Sequence, residues 1–185
     1  MMRTGLLLAV GFAMSLLPAV SFAQQGAPAA PPKAPVEINQ LPFVGGRFEC
    51  KGENFASPLS PEHATRLLVT GNLELDGFWY VVQGAERKTP QNPTPGKFRA
   101  AFGYDTASKK FVTLLIDNLG GRAVETADTV SAGHTVFTGT YTLNGTNYNV
   151  CDTYLQTGGG GFGHIGEVQV SGGWKKTDAE TCRKK

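Results

Sequence analysis

The chain has 185 residues, 17 lysines and arginines against 15 aspartates and glutamates, and a formal net charge of +2. The basic residues are scattered, with only the terminal CRKK clustered, and that cluster reads as a solvated tail. Without a basic stripe interleaved with aromatics, nucleic acid is excluded as the partner class.

The chain opens with MMRTGLLLAVGFAMSLLPAVSFAQQ, in which Arg3 precedes an apolar run from Leu6 to Val20. Ser21 and Ala23 supply the small residues of a cleavage site, and Pro18 interrupts a run already short for a bilayer span. Residues 1–23 therefore read as a secretory signal peptide cut after Ala23. That places the protein in the periplasm or outside the cell, with no membrane insertion after cleavage. Residues 24–42, QQGAPAAPPKAPVEINQLP, have little that is bulky and apolar to bury. They read as a Pro/Ala-rich, extended and mobile leader before a folded domain at 43–185.

From Phe43 onward the hydrophobic period is two. RFECKGENF sets Phe48 and Cys50 against Arg47, Glu49 and Lys51, and KFRAAFGYD sets Phe98, Ala100, Phe102 and Tyr104 against Lys97 and Arg99. TRLLVTGNLELDG, HTVFTGTYTL, TNYNVCDTYLQ and GHIGEVQVSGGWKK continue the alternation, as half-buried antiparallel strands do. Turn signals such as LDGF, DNLGG and LNGT punctuate them at regular intervals. The expectation is an all-β fold, a closed antiparallel up-and-down barrel of about ten strands. KTPQNPTPGKF, with Pro90, Pro93 and Pro95, reads as a stiff loop that can partly cover a barrel mouth.

TGGGGFGHIGEVQV carries Gly158, Gly160 and Gly163 in dinucleotide-binding spacing. That fingerprint needs a helix after it, whereas HIGEVQV is a strand, so the glycines are a hairpin connection and no cofactor is expected.

Three cysteines leave one unpaired in an exported chain. Cys50 lies in the first strand and Cys182 just after the last, strands that neighbour each other in a closed barrel. A Cys50–Cys182 bridge is expected, with Cys151 free; the rival pairing is Cys151–Cys182. No metal is expected, since no pair of cysteines has ligand spacing and His63, His134 and His164 do not converge in sequence. Asp117 shares a strand face with Phe111 and Leu115, and Asp152 shares one with Tyr148 and Val150. An inward carboxylate needs partners, for which Arg99, Arg122 or tyrosine hydroxyls are available.

FGYDTASKKFVTLLIDNLGG, residues 102 to 121, resembles the central motif of a bacterial family of unknown function numbered fifteen-seventy-nine. GGRFECKG, GTYTLNG, CDTY and GEVQVSGGWKK resemble its other strands and hairpins, so the likeness extends over roughly residues 43–185. The resemblance implies a lipocalin-like, or calycin, barrel with an interior pocket and implies no particular chemistry. A more distant likeness to haem-binding nitrobindin barrels rests on the Gly-x-aromatic opening alone.

The functional expectation is an exported barrel that binds a small apolar molecule rather than one that catalyses a reaction. Its aromatic lining would be Phe48, Phe78, Tyr80, Phe98, Phe102, Phe111, Tyr148 and Tyr154, with Asp117 and Asp152 as polar anchors. The alternatives are a filled barrel acting through its surface as an envelope protein, and a haem or small-molecule isomerase using His134, His164 or a pocket carboxylate. An outer-membrane barrel is disfavoured, because charges populate the outward strand faces.

Overall fold

The computed structural model describes residues 31–131 and 133–185. The expected signal peptide and the first part of the leader lie outside the described residues.

Ten antiparallel strands close into a barrel: β1 Gly46–Asn54, β2 His63–Glu74, β3 Trp79–Glu86, β4 Lys97–Asp105, β5 Lys110–Asp117, β6 Arg122–Ala127, β7 Thr135–Leu143, β8 Thr146–Gln156, β9 Phe162–Val170 and β10 Gly173–Lys184. Each strand pairs with its neighbours in sequence, and β1 pairs with β10, so no open edge remains. Short connections produce this order because two-residue turns can join only antiparallel neighbours. Between β7 and β8, Leu143 pairs with Thr146 across Asn144 and Gly145. Both turn residues have positive φ, 50° and 79°, which Asn-Gly accommodates with little strain. The glycine run at 158–160 likewise forms a short turn between β8 and the antiparallel β9. No helix follows it, and the dinucleotide reading fails on that ground.

Cys50 stands directly opposite Cys182 in the β1–β10 register, with Cα atoms 3.9 Å apart, and the two form a disulfide. The bridge links the first and last strands at the barrel closure, as expected from sequence. One detail differs: Cys182 lies within β10 rather than after it. Cys151 is free and half-buried; burial pushes its thiol above the ordinary range.

The interior has two parts. At the end formed by the starts of β1, β5, β7 and β9, aromatic side chains fill the barrel edge to face. Phe48 meets Phe162 at 5.1 Å between ring centroids, and Phe102 meets Phe137 at 5.8 Å. This end is sealed by the segment just before β1. Val36–Gln40 and Pro42–Val44 form 3-10 turns that place Ile38, 2% exposed, and Leu41, 0% exposed, in the same core as Phe43 and Val44. The mobile leader expected to run to residue 42 is corrected here. In VEINQLPF, Ile38 and Leu41 lie three positions apart, the 3-10 repeat, so one turn aims both at the core. The opposite end is open, rimmed by loops 55–62, 87–96 and 118–121.

Candidate functional site

A cavity of about 590 Å³ runs from the middle of the barrel to the open rim. Its volume lies within the range of small-molecule sites. Leu67, Val69, Val82, Phe98, Ala100 and Leu115 contribute apolar wall. They belong to β2, β3, β4 and β5 and alternate along each strand with outward-facing residues, which is the period read from sequence.

The floor of the cavity is polar. His164 on β9 stands opposite Tyr154 of β8 and Glu180 of β10, while Asp152 and Asp178 flank Gly166 one step further along. His164 Nε2 lies 3.2 Å from Asp152 Oδ1, and Nδ1 lies 3.0 Å from Asp178 Oδ1 and 3.1 Å from Glu180 Oε2. Its ring sits 5.0 Å from that of Tyr154, which in turn packs on Phe43, Phe102, Phe137 and Phe162. The aromatic end is thus the platform on which the polar layer rests. Thr177 donates to Asp178 Oδ2 at 2.7 Å, and Thr65 donates to Glu180 Oε1 at 3.4 Å.

Two local features make this crowding feasible. The β9–β10 register shifts between Lys176 and Asp178, a bulge that turns the consecutive residues Thr177 and Asp178 both toward the cavity. Gly166, between Asp152 and Asp178 in the register, has no side chain; a Cβ there would overlap Asp178 Oδ2 and Thr177 Oγ1. A fourth carboxyl group comes from Glu125 on β6, opposite Thr113 of β5. Glu125 is 2% exposed, and its Oε2, like Thr113 Oγ1, is buried without a hydrogen-bond partner.

Burial and shared charge set the protonation of this layer. Burial, and then the Asp152 carboxylate, push Glu125 up to about 9. Burial, with help from Asp178, raises Glu180 to about 7 against the pull of His164. Burial also opposes ionisation of Asp178, but the imidazolium beside it outweighs that cost and holds the group at about 2. His164 is raised well above its usual range: burial disfavours its charge, and Asp178 with its other neighbours more than offsets that. Near neutral pH the floor therefore holds an imidazolium among carboxyl groups that differ in protonation, and it can exchange protons with a ligand. His164 Nδ1, Asp178 and Glu180 also present donor atoms within 4.8 Å of one another, a set that suits a metal ion.

Of the residues singled out from sequence, Phe98, Phe102, Asp117, Asp152 and Tyr154 line the cavity, as do both bridged cysteines. Phe48 and Phe111 are buried in the aromatic end instead, and Phe78, Tyr80 and Tyr148 are not brought into the lining. Asp117 is committed elsewhere at the rim. Its Oδ1 accepts from the backbone of Leu119 and Gly121, both at 2.8 Å, and its Oδ2 accepts from the Tyr141 hydroxyl at 2.6 Å. Its partner is thus a tyrosine rather than Arg99 or Arg122. Burial, followed by the Asp117 carboxylate, raises Tyr141 above its usual range. His134 is exposed on the loop before β7 and away from the cavity. His63 joins a different group at the rim, 2.9 Å from Glu86. Glu125, Asp178 and Glu180 were not assigned to the site from sequence, and His164 entered only through the haem or isomerase alternative. Strand parity carried a signal for two of them, since Asp178 and Glu180 fall in step with Cys182.

The Pro-rich loop covers part of the mouth, with Gln91, Asn92, Pro93 and Thr94 in the lining. Glu86, the last residue of β3, anchors it by accepting from Asn92 Nδ2 at 2.6 Å and from the Gly96 amide at 3.1 Å.

No family model matches the sequence, and no curated protein does. Among solved structures, the crystal structure of Rv2717c from M. tuberculosis is similar to 83% of this chain and 99% of its own, with a TM-score of 0.64 and 10% sequence identity. At that identity the likeness is one of fold. The protein is a ten-stranded β-barrel.

Proposed function

We propose that this barrel is an exported binding protein that takes up one small, largely apolar molecule through its open end. The observation that carries the reading is the division of the interior. One half is filled by interlocking rings, while the other is a cavity of about 590 Å³ with apolar walls and a charged floor. A barrel needing only a packed core has no reason to keep buried carboxyl groups, which cost stability unless paired. The ligand is accordingly an apolar body with one polar end that meets His164 and its carboxyl neighbours. The Cys50–Cys182 disulfide supports export, because such bridges persist in oxidising compartments. Among the described residues no helix is long and apolar enough to cross a membrane. The resemblance to the family numbered fifteen-seventy-nine is in keeping with this reading, its central motif running from the end of β4 through β5 to the turn before β6.

Titration with fluorescent fatty-acid and alkylamine probes tests the proposal. Saturable uptake of one probe per barrel, abolished when Leu115→Trp fills the cavity, is the expected result. Absence of saturable uptake by either class of probe, together with no ligand in native mass spectra of protein from its host, overturns it.

A second reading rests on the outer wall. Leu114 and Val124 face each other across β5 and β6 and are exposed, with Ile116 beside them. An apolar strip of this kind supports an envelope protein acting through its surface. A crosslinked partner that is lost in the Leu114→Ser/Val124→Ser double variant, with probe uptake intact, would favour that reading.

A further inference from the structure

We propose that the barrel floor is a binding site for one divalent transition-metal ion, liganded by His164 Nδ1 and by one carboxylate oxygen each from Asp178 and Glu180, with Asp152 as the positioning residue for the imidazole. The site goes beyond uptake of an apolar molecule and does not depend on it.

The first argument is the geometry of the imidazole. Nδ1 faces two carboxylate oxygens at once, Asp178 Oδ1 at 3.0 Å and Glu180 Oε2 at 3.1 Å. A ring nitrogen carries a single proton, directed along a single line, and cannot bond well to both. A cation seated among the three atoms satisfies all of them. The second argument is the far side of the ring. Metal-bound histidines commonly donate their other ring N–H to a carboxylate, which fixes the tautomer and strengthens the ligand. Asp152 Oδ1, 3.2 Å from Nε2, is placed for that role, and an ion that displaces the Nδ1 proton to solvent takes up the lone pair on the side of Asp178 and Glu180.

The third argument is independent of the cluster's own hydrogen bonds. Glu125, 2% exposed, faces the same cavity and lies against Asp152, with its Oε2 unpartnered; Thr113 Oγ1, opposite it on β5, is unpartnered as well. Buried polar atoms without partners call for a water, an ion or a ligand. A hydrated cation brings water molecules into the space these oxygens face. The donor set, one imidazole nitrogen with carboxylate oxygens, suits Zn²⁺, Mn²⁺ and their first-row neighbours, whereas Ca²⁺ and Mg²⁺ prefer oxygens alone. With three protein ligands, a coordination position remains open toward the cavity, as in sites where a small molecule joins the ion.

The full chain, stripped with EDTA, is titrated calorimetrically with Zn²⁺ and Mn²⁺, and with Mg²⁺ as the oxygen-preferring comparison. One Zn²⁺ per chain is expected, bound more tightly than Mg²⁺. His164→Gln and Asp178→Asn should each abolish this binding, and Asp152→Asn should weaken it about 10–100-fold at unchanged stoichiometry. His134→Gln, an exposed histidine remote from the floor, should leave it intact. Near-UV circular dichroism confirms the fold of each variant. Should His164→Gln not fold, Glu180→Gln and the visible absorption of Co²⁺ added to the unaltered protein decide. A Co²⁺ spectrum like that of the aqueous ion overturns the site. So does the absence of saturable Zn²⁺ binding, or Zn²⁺ binding that survives His164→Gln or Glu180→Gln.

Discussion

Replacing Leu41 by alanine removes a fully buried side chain, 0% exposed, from the turn that seals the barrel just before β1. Leu41 sits in one core with Ile38, Phe43, Phe48 and Phe102, so the void left behind is flanked by rings that cannot close on it freely. Large-to-small changes of this type cost about 2–5 kcal/mol, and the crowded surroundings favour a value of about 3 kcal/mol. For a domain of this size that corresponds to a fall in Tm of roughly 6–12 °C. Urea unfolding followed by tryptophan fluorescence measures the difference, with Val36→Ala as the internal comparison. Val36 is 76% exposed in the same segment, and its replacement should stay within about 0.5 kcal/mol. If Leu41→Ala also costs less than about 0.5 kcal/mol, the segment is a leader after all and the sealed end is wrong.

Three further outcomes follow from the same structure. Replacing Cys50 and Cys182 together by alanine reopens a loop of sequence separation 132, worth about 5 kcal/mol on the chain-entropy model; equal urea midpoints for the variant and the oxidised parent would refute the barrel-closing role. Glu125, whose carboxyl rises from 4.5 to about 9 on folding, contributes stability that is complete below about pH 4.5 and is lost as pH rises toward 9. In EDTA, stability should therefore fall with pH by up to about 1.4 kcal/mol per unit more steeply in the parent than in Glu125→Gln, and parallel pH curves would count against it. Asn92→Ala removes one of the two hydrogen bonds by which Glu86 holds the Pro-rich loop, leaving that of Gly96, so amide exchange in residues 88–94 should speed up about tenfold with the barrel strands unchanged; unaltered exchange would mean the loop is held by other contacts.

The barrel was legible because its walls obey a simple period. Phe98, Ala100 and Phe102 on β4 alternate with charged or outward neighbours, Asn144-Gly145 encodes its own hairpin, and the two bridging cysteines fall in strands that only a closed sheet brings together. The sealing segment was not legible as such. Its burial comes from two side chains in a stretch whose proline and alanine content otherwise resembles a linker, and only tertiary contact with the aromatic end distinguishes them.

The polar floor escaped for a different reason, and that reason bears on how it works. His164, Asp152 and Glu180 share no local motif; they meet because β8, β9 and β10 are adjacent and in register, so their proximity is a property of topology rather than of spacing. Asp178 falls in step with Glu180 and Cys182, so alternation turns it inward, but it also needs room there. The bulge after Lys176 lets Thr177 and Asp178 both face inward, and Gly166 leaves the space their oxygens occupy. Neither device improves a hydrophobic core, and each weakens a strand that an uninterrupted ladder would make more stable. Their joint effect is to leave room for a second carboxylate on the Nδ1 side of one histidine and to hold it there through Thr177. Replacing Gly166 by alanine isolates that effect: its Cβ displaces the Asp178 carboxylate while every acidic residue is retained. Zn²⁺ binding should then fall at least tenfold, with probe uptake in the upper cavity preserved. If Zn²⁺ binding is undiminished, Asp178 is not a ligand, and the bulge serves only the packing of the wall.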